Sequence, residues 1–178
     1  MQFGICVMAD VEEIGFFKHA ESLGYDSVWV TDSQMIFSDC YAVLALAAQA
    51  TERIRLGPGT AICGTRIPPV QVAAMATLNK LAPGRVHLGI GTGNTAMRTM
   101  GQRPMRIAEY DEYLRVLAAL LRGETVDYRR ALDGFRNCAL TNVALLEPGE
   151  PVDSPRVVRT VGPNVMASVR ICTRGKPS

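Results

Sequence analysis

This sequence predicts an α/β fold built on a parallel sheet, on the strength of three observations. Strand-like and helix-like segments alternate four times within the first 128 residues. Each pair takes roughly 30 residues, the length that a strand, a crossover helix and their loops require. Within three of the four strand-like segments, bulky and small residues alternate, giving those strands one face to be covered by helices and one that is pared down.

The elements follow in order. Residues 2–8 read as the first strand, with Phe3, Ile5 and Val7 on one face and Gly4, Cys6 and Met8 on the other. A helix over 11–25 comes next, with Asp10 as its expected N-cap and Gly24 as its stop. Residues 27–32, SVWVTD, are rich in β-branched and aromatic side chains and form the second strand. An alanine-rich helix over 39–52 is capped by Ser38 or Asp39. The third strand, 54–60, sets Ile54 and Leu56 against Arg55, Gly57 and Gly59. The helix over 68–82 opens on Pro68 and Pro69, where a missing N–H does no harm, and stops at Pro83-Gly84. The fourth strand, 85–91, sets Val86, Leu88 and Ile90 against His87, Gly89 and Gly91. A last helix, 104–123, carries Ile107, Tyr110, Leu114, Leu117 and Leu121 at helical spacing. The pattern suits an open doubly wound sheet or part of a closed β/α barrel.

After residue 128 the material changes. Residues 1–128 hold 11 Lys and Arg against 13 Asp and Glu, whereas 129–178 hold eight against four and half of the ten prolines. The chain therefore divides into 1–128 and an atypical tail, 129–178, expected to be irregular. With 178 residues and 48% of them hydrophobic, one sizeable core is expected. No apolar run is long enough to cross a membrane. The net charge of +2 gives no case for nucleic-acid binding. Five scattered cysteines without a CxxC pair suggest a reducing, cytoplasmic setting and no metal site.

Glycine recurs on the small face of three strands. This predicts an interior emptied at the strand tips, where a flat group can approach the backbone; tight packing is the competing reading. The run GIGTGN, 89–94, is a poor dinucleotide fingerprint, since it follows the fourth strand and lacks the acidic partner. As a loop of free N–H groups it suits an anion or a ring carbonyl. Arg98, Arg103 and Arg106 read equally as anion ligands or as a surface with local pairs such as Arg106 with Glu109. Asp32 ends the second strand, where catalytic groups of parallel β/α folds collect, although in isolation it is a turn residue. His19 is expected to be exposed, His87 buried, and Trp29 part of the core. No Ser/His/Asp set or HExxH pair stands out.

The segments GFFKHAESLGYDSVWVTD, IRLGPGT with TRIPPVQVAAMATLNKLAPGRVHLGIGTGN, and NTAMRTMGQRPMRIAEYDEYLRVLAALLRGE together resemble the N-terminal half of the bacterial luciferase-like oxidoreductases, over about 2–128. The likeness is strongest to the branch that uses the deazaflavin coenzyme F420. It implies an incomplete TIM-type (β/α)8 barrel, a half-barrel of about four βα units, with a flavin or deazaflavin across the C-terminal strand ends. It also implies a bulge after the third strand, often with a non-prolyl cis peptide, matched here by Gly59 and Thr60. Asp32 matches a residue near the ring and is the catalytic candidate; several relatives have histidine next, where this chain has Ser33. Gly91, Thr92, Gly93 and Asn94 match the ring-contacting loop. The implied activity is hydride transfer from reduced F420 to a small organic substrate, with an FMN-dependent monooxygenase as the alternative. A full barrel takes eight strands, so a truncated chain is expected, inactive alone. A non-enzymatic fragment that binds flavin or self-associates through open sheet edges is the remaining alternative.

Overall fold

In a computed structural model, residues 1–126 are described throughout, together with the backbone of Asp127 and of three short strands beyond it. The elements run β1 (Gly4–Val7), α1 (Gly15–Ser22), β2 (Ser27–Val30), α2 (Cys40–Ala50), β3 (Arg55–Pro58), β4 (Ala61–Ile62), α3 (Pro68–Leu81), β5 (His87–Gly91), α4 (Asn94–Thr99), α5 (Ile107–Leu121), β6 (Val126–Asp127), β7 (Ala139–Leu140), β8 (Val158–Thr160) and β9 (Met166–Arg170).

Strand order settles the architecture. β1 pairs with β2 and β2 with β3, both parallel. The next strand follows on the far side, through a parallel bridge from Leu56 to Val86 and the parallel pairing of β4 with β5. The order is thus sequential, with no reversal. Side chains from α1, α2, α3 and α5, among them Phe17, Leu44, Met75 and Leu117, share one buried cluster with Val28, Leu56, Leu88 and Ile90. A doubly wound sheet reverses its order and carries helices on both faces. Helices on one face of a sequential parallel sheet make a half-barrel.

The local signals explain most boundaries. Asp39 Oδ1 accepts from the N–H groups of Tyr41 and Ala42, capping α2. Pro68 and Pro69 open α3. Gly24, at φ +84°, ends α1 with the left-handed turn that favours glycine.

Four expectations need correction. The first helix is eight residues, not 11–25. Asp10 does not cap it: its carboxylate accepts from the Glu12 N–H and folds a turn of its own. The third strand is not continuous over 54–60 but divides into β3 and β4 around a cis peptide between Gly59 and Thr60. On α5 the buried face is Tyr110, Tyr113, Val116, Leu117 and Leu120, while Ile107 is 61% exposed. The two tyrosines turn the helix, because their hydroxyls reach the carbonyls of Ile90 and Arg66. In the tail, β7 pairs antiparallel with β6, β9 with β5, and β8 with β9; the rest of 129–178 lies outside the described residues.

The fourth correction concerns the glycines. A Cβ on Gly57 would collide with the His87 carbonyl. One on Gly59 would lie 2.7 Å from Trp29 Cβ, and one on Gly89 3.1 Å from Trp29 Cζ3. The rings of Trp29 and His87 sit 3.8 Å apart, filling the inner face at this level. Absent side chains here admit an indole and an imidazole, so the tight-packing reading holds and the emptied interior does not. Trp29 itself is only half-buried. Among the described residues, no helix is long and apolar enough to cross a membrane.

Candidate functional site at the strand tips

The C-terminal ends of β2, β4 and β5 converge. Ile62 stands opposite Gly91 in the β4–β5 register, and the Cys63 N–H donates to the Gly91 carbonyl at 3.2 Å. Thr60 Cγ2 lies 3.4 Å from where a Cβ on Gly89 would stand. The residues singled out on the third strand and on the loop 91–94 are therefore neighbours. Gly93 adopts φ +82° and leads into α4, packing against Ile62 and Met97. The Thr92 carbonyl accepts from the Met105 N–H, which folds the following loop back over this tip.

Thr60 and Thr92 are half-buried, and neither hydroxyl has a hydrogen bond among the described residues. Asn94 is exposed, and its Oδ1 accepts from Arg98 Nε at 2.9 Å. The rim thus presents two uncommitted hydroxyls and an amide above the closed Trp29–His87 floor. Hydroxyls of this kind donate and accept with equal ease.

Asp32 lies just behind the rim and is 3% exposed. Its Oδ2 accepts from the Ile62 N–H at 3.1 Å, and its Oδ1 accepts from Gln34 Nε2 at 2.6 Å. Arg66 Nη1 stands 3.5 Å from Oδ2. Burial pushes the carboxyl above its ordinary range, against the opposing pull of the Ile62 N–H, Arg66 and Gln34. Sequence reasoning missed Arg66 and Gln34. The turn that follows β4, in which Thr65 Oγ1 donates to the Ile62 carbonyl, brings Arg66 back over the tip of β2.

The arginines after α4 resolve into local pairs. Arg103 and Arg106 both grip Glu109, at 2.9 and 2.6 Å. The side-chain hydrogen bonds from those two arginines hold the Glu109 carboxyl well below its usual range. The surface-pair reading therefore holds at these two positions. His19 is exposed and His87 buried, as expected. Cys6 is exposed, Cys40 and Cys63 are buried, and no metal-binding cluster occurs among the described residues.

The model of the luciferase-like monooxygenase family matches residues 1–167. The chain belongs to that family. The match runs beyond the 2–128 over which the motifs are legible. A 5,10-methylenetetrahydromethanopterin reductase of Archaeoglobus fulgidus is 29% identical over 147 residues, covering 79% of this chain and 43% of the relative. An F420-dependent glucose-6-phosphate dehydrogenase of Beutenbergia cavernae is 34% identical, covering 88% and 51%. In structure, this luciferase-like chain is similar to the coenzyme F420-dependent tetrahydromethanopterin reductase of Methanopyrus kandleri, with a TM-score of 0.64 and 28% identity over 72% of this chain and 42% of that one. The chain spans about half the length of these relatives.

Proposed function

We propose that this chain carries the ring-facing half of an oxidoreductase site that moves a hydride from reduced coenzyme F420 to a small organic substrate. The observation that carries the reading is the juxtaposition of Thr60 with the loop Gly91, Thr92, Gly93 and Asn94, two of whose side chains and Thr60 face solvent at least in part. The relatives in Beutenbergia cavernae and Methanopyrus kandleri are F420-dependent, which favours the deazaflavin.

The residues fit such a group at the rim and not beneath it. Uncommitted hydroxyls and a glycine-bearing loop suit the polar edge of a planar ring. Trp29 and His87 occupy the floor, so the ring would lie on the rim. When bound, the deazaflavin supplies the hydride, and the protein supplies position and shelter from water. Thr60 and Thr92 would hold polar edge atoms, Gly59, packed on Trp29, would position Thr60, Gly91 would let the backbone approach, and Gly93 and Asn94 would close the loop. Asp32, behind the rim, orients what sits on it. A small organic substrate, a reducing cytoplasmic setting and no role in nucleic-acid binding complete the reading. β1 has no partner on its outer edge among the described residues, which supports self-association through that edge.

Titration of the purified chain with F420 and with FMN, followed by cofactor fluorescence, tests the assignment. F420 is expected to bind in preference. Tighter binding of FMN would transfer the reading to a flavin monooxygenase. Binding of neither, with dimers or larger species by light scattering, would leave a self-associating fragment.

A further inference from the structure

We propose that Arg66 is a positioning residue that clamps Asp32 as a brace on the backbone after β3, so that Asp32 acts on the rim through the Ile62 N–H and not by touching a ligand. The proposal deepens the reading above and rests on it for the identity of the ligand.

Arg66 is fixed from several directions. Its backbone carbonyl accepts from the Tyr113 hydroxyl of α5 at 2.8 Å. Its guanidinium lies 4.1 Å above the Tyr41 ring and donates to Asp39 Oδ2 at 3.0 Å, both near the start of α2. Its other terminal nitrogen faces Asp32 at 3.5 Å. Two helices thus present one planar cation to a single buried carboxylate. That carboxylate has little capacity left: Gln34 takes one oxygen, Ile62 and Arg66 the other. A carboxylate so engaged is poorly placed to contact a ring. It is well placed to fix the Ile62 N–H, two residues beyond Thr60. A buried charge deprived of its partner is strongly unfavourable, so Asp32 depends on Arg66 to hold this role.

The groups that face Asp32 are Arg66 and Gln34 from the flanking loops, and Asp39, Cys40 and Tyr41 from α2. Arg66 is the cation among them. Its removal leaves Asp39 as an opposing charge, and protonation of Asp32 then moves to higher pH.

Hydrogen exchange on the full ligand-free chain, read at peptides spanning 59–66, tests the clamp without any cofactor. Arg66→Met is expected to speed exchange at Ile62 roughly 10-fold, the scale of one charge-assisted hydrogen bond, and to leave β1 and α1 unchanged. The loss of protection on acidification should begin at higher pH than in the parent. Arg66→Lys, which keeps the charge and loses the fork, should recover part of the protection and serves if the methionine variant does not fold. Adding Asp32→Asn to Arg66→Met should cause little further loss. F420 affinity, where the parent binds it, should fall roughly 10-fold in step with the exchange. Unchanged exchange at 59–66, or a uniform rise in every peptide, would overturn the clamp. A parent that fails to bind F420 while Arg66→Met still loosens 59–66 would reject the cofactor reading and leave the clamp standing.

Discussion

At the N-terminal ends of the strands, Glu21 and Arg85 direct their hydrogen bonds chiefly into the backbone, whereas at the C-terminal ends Asp32 and Arg66 face one another. Glu21 Oε1 accepts from the N–H groups of Arg53 and Ile54 at 2.6 and 2.7 Å, and the carboxylate also takes the Glu52 N–H. Arg85 donates to the carbonyls of Ala48, Thr51 and Ile54 and to Thr51 Oγ1, closing the C-terminus of α2. Each charge at that end satisfies orphan peptide groups where the chain passes from helix to strand. At the other end one carboxylate oxygen takes a single backbone N–H beside Arg66, two threonine hydroxyls stay uncommitted among the described residues, and the backbone departs from strand geometry. The two ends of the sheet use their polar groups differently. One end uses its polar groups to close the fold, and the other keeps some of them in reserve.

The largest expected effect lies at the closing end. Arg85→Ala removes four hydrogen bonds of a partly buried cation and is expected to cost about 3 kcal/mol of unfolding free energy, read by urea denaturation, with F420 affinity retained by the folded fraction. An affinity loss without destabilisation would break the division of labour.

Glu21→Ala follows, at about 2 kcal/mol. Burial opposes ionisation of Glu21, but the N–H groups of Ile54, Arg53 and Glu52 outweigh it and hold the carboxyl below its ordinary value of 4.5. A lowered folded value means that this stabilisation is present above about pH 4.5 and lost as pH falls through the folded value. The parent should therefore lose stability on acidification more steeply than Glu21→Ala, and equal slopes would count against the backbone clasp.

At the rim the signs should reverse. Thr60→Val keeps the shape and removes the hydroxyl. We expect stability within about 0.5 kcal/mol of the parent and F420 affinity lower by roughly 10-fold. Unchanged affinity would remove Thr60 from the site. The smallest effect belongs to Arg103→Ala, whose partner Glu109 keeps Arg106. Both stability, by denaturation, and affinity should stay near the parent values, because exposed ion pairs contribute little. A marked loss of affinity would restore the anion-binding reading of the arginines.

Some of this was readable along the chain. Asp39 and the Pro68-Pro69 pair mark helix starts because a cap depends only on neighbours within a few residues. The cis bond at Gly59 and Thr60 was placed by family likeness. Parity assigned His87 and Gly89 to the inner face correctly, but it did not show what would arrive there. Trp29, on another strand, reaches Gly59 and Gly89, and His87 reaches Gly57. Arg66 and Asp32, 34 positions apart, meet because of a turn and two helices that no local period encodes.

The sequence by itself determined the alternation of strands and helices, the face that each strand turns to the helices, and most of the caps. These depend on short-range sterics and on hydrogen bonds within one or two turns of chain. Only the tertiary structure decided that the sheet is sequential with helices on one face, that aromatic rings occupy the room the glycines leave, and that a half-buried arginine stands behind the rim. Each of these is a contact between distant segments, and its energy exists only once both have been brought together.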